Sequence, residues 1–198
     1  MNAIYFVTGN PGKVASANRS LNEYGIECKI ANLKTIEPDI NDIEYIARIK
    51  VEKAYEALKM PCIANDSGFY IESYPGETNF PGAFVKRKLL DPIGIEGLLT
   101  IMNGIENRKC YFEDVVAYYD GNDIKYFHSA SPGILSKEIK GKDMREQWSP
   151  LWHIFIPNGY TKTLSEMTVQ EREQRNEAKS SSLKEFAKWY SNTYEKKL

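Results

Sequence analysis

This sequence lacks an excess of either charge. Its 198 residues carry 26 Lys+Arg against 27 Asp+Glu, a formal net charge of -1. A bulk nucleic-acid binder or a polybasic membrane binder would show a basic excess. A small anionic ligand stays open, because its site needs only a few local charges. Cysteine is scarce as well: Cys28, Cys62 and Cys110 are odd in number and far apart. That spacing removes a disulfide framework and a metal-type Cys pair, and it favours a reducing interior. Histidine is limited to His128 and His153, with no Cys or Ser nucleophile elbow near either. No run approaches the ~18 apolar residues of a membrane span. The stretch from Met1 to Val7 has no basic n-region, so the expectation is a cytoplasmic protein off the membrane. Repeats, low-complexity tracts and linkers are missing too.

What is present suits a globular body. Hydrophobic residues make up 42% and aromatic residues 12% of the chain, enough to build a core. At roughly 150 residues per domain the length predicts one domain over 1–198. Ala3 to Val7 is rich in β-formers and runs into Thr8-Gly9-Asn10-Pro11-Gly12-Lys13. Val14, Ala17, Leu21 and Tyr24 then share one helix face until Gly25. The pattern is strand, glycine-bearing loop, helix. A strand over Glu27 to Ala31 follows, and then a helix from Asp42 to Leu58. Pro61 to Ala64 reads as a strand running into Asn65-Asp66-Ser67-Gly68-Phe69-Tyr70-Ile71, and Tyr74 to Lys86 as a loop. A helix is expected over Pro92 to Met102. Asp120-Gly121-Asn122-Asp123, between two runs rich in Val, Tyr and Phe, signals a hairpin. One charged helix is expected from Thr168 onward. The fold class is α/β.

Three features carry chemistry. The loop Thr8 to Lys13 opens a helix, where backbone N–H groups and the positive dipole end suit a phosphate; Thr8 and Asn10 add neutral donors and Lys13 a mobile charge. It is not a Walker loop, and alone it also fits an ordinary tight turn. Asp66 ends an apolar strand, where open α/β sheets place ligand-handling groups. With a second carboxylate such as Glu37 it could hold Mg²⁺, which takes one or two carboxylates plus phosphate and water; a turn aspartate is the plainer alternative. Lys50 follows on an apolar-periodic helix and matters only if its face also presents Lys13 and Asp66.

Together these residues resemble the inosine triphosphate pyrophosphatase, or Ham1, family. The resemblance rests on Thr8 to Lys13, Glu37, Lys50 and Asn65-Asp66-Ser67-Gly68. It continues through Phe80-Pro81-Gly82-Ala83-Phe84, Phe155-Ile156-Pro157-Asn158-Gly159-Tyr160, Lys162-Thr163 and Ser165-Glu166-Met167. It implies an elongated two-lobed α/β fold of Ham1 (Maf-like) type, with a central mixed sheet flanked by helices and the nucleotide in a cleft between the lobes. It implies a homodimer and Mg²⁺-dependent hydrolysis of ITP, dITP and XTP to the monophosphate and pyrophosphate. Carried over residue by residue, Thr8, Asn10, Lys13, Ser67 and Gly68 would bind the substrate. Glu37 and Asp66 would hold the metal, with Asp66, Lys50 and Lys13 as the catalytic groups.

The sequence departs from the family on the base-reading side. The usual Phe-Gly-Tyr/Trp-Asp-Pro stretch is replaced by Ser149-Pro150-Leu151-Trp152-His153, with Trp152 at the aspartate position. Arg172 stands for the family's lysine, and the Ser-His-Arg signature falls near Asn176-Glu177-Ala178. Asn65 replaces the first acid of Asp-Asp-Ser-Gly. Trp152 could stack on a base, as aromatics do in sequence-tolerant sites, or pack in the core. Two classes of function follow: a purine NTP pyrophosphatase with altered base preference, or a nucleotide-binding dITP/ITP-sensing subunit that turns over weakly and works with a partner protein.

Overall fold

The computed structural model describes residues 3–33, 38–145 and 147–194. Strand β1 (Ala3–Val7) leads into helix α1 (Pro11–Asn22), which is capped by Asn10 and ended by Gly25 at φ 65°, a left-handed conformation that glycine adopts without strain. Strand β2 (Glu27–Ala31) and helix α2 (Ile43–Leu58) follow; the Asp42 side chain accepts from the Tyr45 N–H at 3.0 Å and starts α2. Both β2 and β3 (Cys62–Ile71) pair in parallel with β1, as strands joined by helical crossovers must. Next come β4 (Phe80–Gly82), a π-helical turn Val85–Leu90, α3 (Gly94–Ile101), β5 (Lys109–Tyr119) and β6 (Ile124–Leu135). A 3-10 turn Pro150–His153, β7 (Phe155–Pro157), α4 (Val169–Ala178) and α5 (Ser182–Tyr194) complete the chain. The strand order is β2-β1-β3-β5-β6-β7, with β4 antiparallel on β3 and β7 antiparallel on β6. This is the mixed α/β arrangement expected from the sequence.

The residues group into two compact units. The first comprises Met1–Ser67, Asp114–Ser129 and Ser180–Leu198. Its core joins Phe6 of β1, Leu21 of α1, Ile63 of β3, Val116 of β5 and Phe186 of α5, all with no exposure. Full burial of one such side chain is worth roughly 1.5–3 kcal/mol. Tyr118 lies 5.2 Å from Trp189 and 5.9 Å from Tyr190, both edge-on, the geometry aromatic quadrupoles prefer. The second unit comprises Gly68–Glu113 and Ala130–Lys179. Phe112 there meets Phe69 at 4.7 Å and Phe155 at 4.8 Å, in one cluster with Leu98, Met102 and Leu151.

Several elements differ from the sequence reading. Strand β3 extends beyond Ala64, through Asn65-Asp66-Ser67-Gly68 to Ile71, because the neighbouring strand satisfies its polar side chains. The segment read as a loop holds β4 and a π-helical turn, closed by the Asp91 N–H donating to Lys86 O at 2.9 Å, five residues back. The C-terminal helix is two helices. Lys179 leaves the helical region at φ -97° and ψ 134°, and the Ser181 hydroxyl accepts from the Lys184 N–H at 3.2 Å, a new N-cap. Among the described residues, no helix is long and apolar enough to cross a membrane.

Candidate functional site

The loop after β1 satisfies itself. Thr8 Oγ1 accepts from the Asn10 N–H at 3.1 Å, and Asn10 Oδ1 accepts from the N–H groups of Gly12 at 2.9 Å and Lys13 at 3.4 Å. Asn10 therefore takes two of the donors that the sequence leaves open for a phosphate. The positive dipole end of α1 remains, and so does Lys13, whose Nζ donates to the carbonyl of Asn65 at 3.0 Å. From α2, Lys50 Nζ meets Asp66 Oδ1 at 2.7 Å, with both side chains only 12% exposed. Two helices thus send lysines to consecutive residues of one strand. The reason is topological: the parallel register pairs Val7 with Ala64, so the end of β1 and the start of the loop lie beside Asn65 and Asp66. Ligand-handling groups gather at this end of parallel strands. Lys50 lies four residues after Ile46 and three after Ala47, both buried, which turns its stem along the packed face of α2. A carboxylate as enclosed as Asp66 requires a partner of opposite charge, and Lys50 is one.

Strand alternation divides the motif between two faces. Asp66 points to Lys50, whereas Asn65 and Ser67 point the other way, to β5. Asn65 Nδ2 donates to Asp114 Oδ1 at 2.7 Å and to Val115 O at 3.0 Å, and Ser67 Oγ donates to Asp114 Oδ1 at 2.7 Å. Ser182 Oγ at the start of α5 donates to the other oxygen, Asp114 Oδ2. Asp114 is the residue the sequence reading missed. Its signal was present: Cys110, Phe112, Asp114 and Val116 share one face of β5, and one acid interrupts an otherwise apolar set.

The remaining candidates are placed as follows. Glu37 lies outside the described residues. Gly68 packs closely: a Cβ there would lie 2.7 Å from the Tyr70 ring and 3.0 Å from the Gly82 carbonyl. In the second unit Trp152 is buried in the core, and its Nε1 has no hydrogen-bond partner among the described residues. The Arg172 guanidinium sits 5.6 Å from the Trp152 ring and donates to the carbonyls of Leu164, at 3.2 Å, and Met167. His128 pairs with Glu44 at 3.0 Å on the surface. The ring nitrogens of His153 lie 2.7 Å from Lys140 O and 3.1 Å from Asp143 Oδ1. Neither histidine has a nucleophile beside it among these contacts. No cluster of three His, Cys, Asp or Glu side chains exists among the described residues.

Comparison with known proteins agrees with this architecture. The Ham1 family model matches residues 4–189. A protein named dITP/XTP pyrophosphatase from Methanopyrus kandleri is 35% identical over 190 residues, covering 96% of each chain. Its namesake from Thermococcus kodakarensis is 33% identical over 186 residues, 93% of this chain and 95% of the other. Among solved structures, a HAM1 protein from Coxiella burnetii superposes with a TM-score of 0.81 at 20% identity, covering 97% of this chain and 100% of that one. The Ham1 protein of Staphylococcus aureus gives 0.75 at 19% identity with both chains fully covered. Family match and shared fold agree over nearly the whole length: the chain belongs to the Ham1 family.

Proposed function

We propose that this chain hydrolyses a purine nucleoside triphosphate of the ITP, dITP or XTP kind to the monophosphate and pyrophosphate, with Mg²⁺. The observation that carries this reading is the convergence of Lys13 on Asn65 and of Lys50 on Asp66, at consecutive positions of one strand. The names of the relatives support the substrate class. Water attacks the α-phosphorus, the bond to the bridging oxygen breaks, and pyrophosphate leaves with that oxygen. Asp66 orients the water and accepts its proton. Lys13 and Lys50 offset the charge that grows on the phosphate oxygens, the largest single contribution in reactions of this kind. Thr8 and the amide N–H₂ of Asn10 add neutral donors at the helix end, and Ser67 and Gly68 follow Asp66 along the strand.

The donor set fits Mg²⁺. This ion binds through one or two carboxylates while phosphate and water complete its sphere, and the described residues offer a carboxylate there without an all-protein cage. Asp66 would hold it, together with Glu37. Bound there, the ion would polarise the phosphoryl oxygens and favour departure of pyrophosphate. Base preference is assigned to Trp152 and Arg172, which stand where the family's base-reading residues do. A cytoplasmic homodimer completes the proposal.

Pyrophosphate release and binding, measured with Mg²⁺ and ITP, dITP, XTP and the ordinary NTPs, test it. Release abolished by Asp66→Asn or Lys13→Ala is expected. Tight binding without release would instead make the chain a nucleotide sensor, a reading favoured by Asn176-Glu177-Ala178 standing near the position of a Ser-His-Arg signature. No binding of any nucleotide would overturn both.

A further inference from the structure

We infer that Asp114 is the positioning residue of this site, a role that rests on the hydrolytic reading above. One oxygen, Oδ1, accepts from both residues that flank Asp66: from Asn65 Nδ2 at 2.7 Å and from Ser67 Oγ at 2.7 Å. Its second oxygen accepts from Ser182 Oγ, a side chain with no exposure. Among the described residues all these partners are neutral. The carboxylate is therefore held by hydrogen bonds to a charged acceptor, which are shorter and stronger than bonds between neutral groups.

The consequence for the opposite face is geometric. Asn65 is gripped twice, by Asp114 and by the Val115 carbonyl at 3.0 Å, and Ser67 once. With both neighbours held to β5, strand alternation presents Asp66 on the opposite face, where it meets Lys50 at 2.7 Å. The same grip fixes the Asn65 peptide, whose carbonyl accepts from Lys13 Nζ at 3.0 Å. Asp114 thus touches none of the proposed reacting groups, yet it sets the placement of the proposed base and of both lysines. It also anchors α5 to the strand through Ser182, so α5 and the site share one support.

The test compares three variants of the full-length protein by steady-state hydrolysis per folded molecule, with thermal unfolding measured in parallel. Asp114→Ala removes the acceptor for both flanking donors and is expected to lower kcat about 10- to 100-fold, the scale of a small misplacement of reacting groups. Asp114→Asn keeps an Oδ1 acceptor and is expected to recover kcat to within about 5-fold of wild type. Ser182→Ala leaves the Oδ1 contacts in place; it is expected to lower thermal stability while kcat stays within about 2-fold. A kcat for Asp114→Ala within about 2-fold of wild type overturns the inference, because a purely structural carboxylate would cost stability alone. A crystal structure of Asp114→Ala is independent of activity. It should show the Lys13 Nζ to Asn65 O separation lengthened beyond about 3.5 Å, out of hydrogen-bond range. An unchanged Lys13 and Asp66 would refute the positioning role even if the wild type hydrolysed no nucleotide.

Discussion

Removing Lys50 provides a quantitative test of the site's electrostatics. In Lys50→Met the apolar stem is kept, while Asp66 loses a partner at 2.7 Å in a position where both side chains are 12% exposed. Deleting one member of a buried ion pair costs about 3–5 kcal/mol, because the other charge stays desolvated. The residual exposure and the Lys13 ammonium on the adjacent carbonyl reduce that figure to an expected ~2–3 kcal/mol. For a chain of this length each kcal/mol shifts Tm by about 2–4 °C, so a fall of about 5–10 °C is expected. The double variant Lys50→Met/Asp66→Asn removes both charges and should return to within about 1 kcal/mol of wild type. The coupling from the cycle should then be about 1.5–3 kcal/mol. Urea unfolding followed by far-UV circular dichroism measures it. Raising ionic strength from about 0.1 to 0.5 M should change it little, because an enclosed pair is poorly screened. A coupling below about 0.5 kcal/mol, the range of an exposed pair, would mean that the Lys50–Asp66 pair is not enclosed.

Two further outcomes follow from the same packing. Asn65→Asp would place a second carboxylate against Asp114 in place of a donor at 2.7 Å; the urea midpoint should fall, and adding Asp114→Asn should regain most of it. A midpoint unaffected by Asn65→Asp would contradict the hydrogen-bond assignment. Burial pushes the Cys62 thiol up to about 12 and the Cys28 thiol up to about 11, and it raises Cys110 as well. The unfolded thiols ionise near ~8.5, so their contribution to stability is fully present below that pH. It is lost as pH rises toward the folded values, because the folded state retains protons that the unfolded state releases. At pH 8 the native protein should react slowly with a disulfide reagent and the urea-unfolded protein rapidly at all three thiols. Rapid reaction of native Cys62 would contradict its burial.

Much of the site was legible because its cues are local. The loop from Thr8 to Lys13, the helix bearing Lys50 and the acid at Asp66 are each read from a few neighbouring residues, and parallel pairing with β1 brings them together. Asn65 could not be read in this way. From the sequence it looks like the loss of an acid, whereas in the fold its amide donates to a carboxylate on another strand, 49 residues later. Only the β3–β5 register reveals that pairing. The continuation of β3 through a polar motif has the same cause, since Asp114 and Lys50 satisfy side chains that would otherwise favour a turn. Trp152 is similar: the sequence offers stacking or core, and its burial among Leu151, Phe155 and Leu164 follows from a 3-10 turn whose packing is tertiary. The split between α4 and α5 had a local signal, three serines at 180–182, which the helical periodicity on either side outweighed.

Hydrolysis at the α-phosphorus is assigned by this proposal to Asp66 and the two lysines. Phosphorus NMR of the products formed from dITP or XTP with Mg²⁺ distinguishes where the triphosphate is cut. Nucleoside monophosphate and pyrophosphate are expected as the only products of the wild type, and none from Asp66→Asn. Diphosphate with inorganic phosphate, or undiminished turnover by Asp66→Asn, would contradict that assignment.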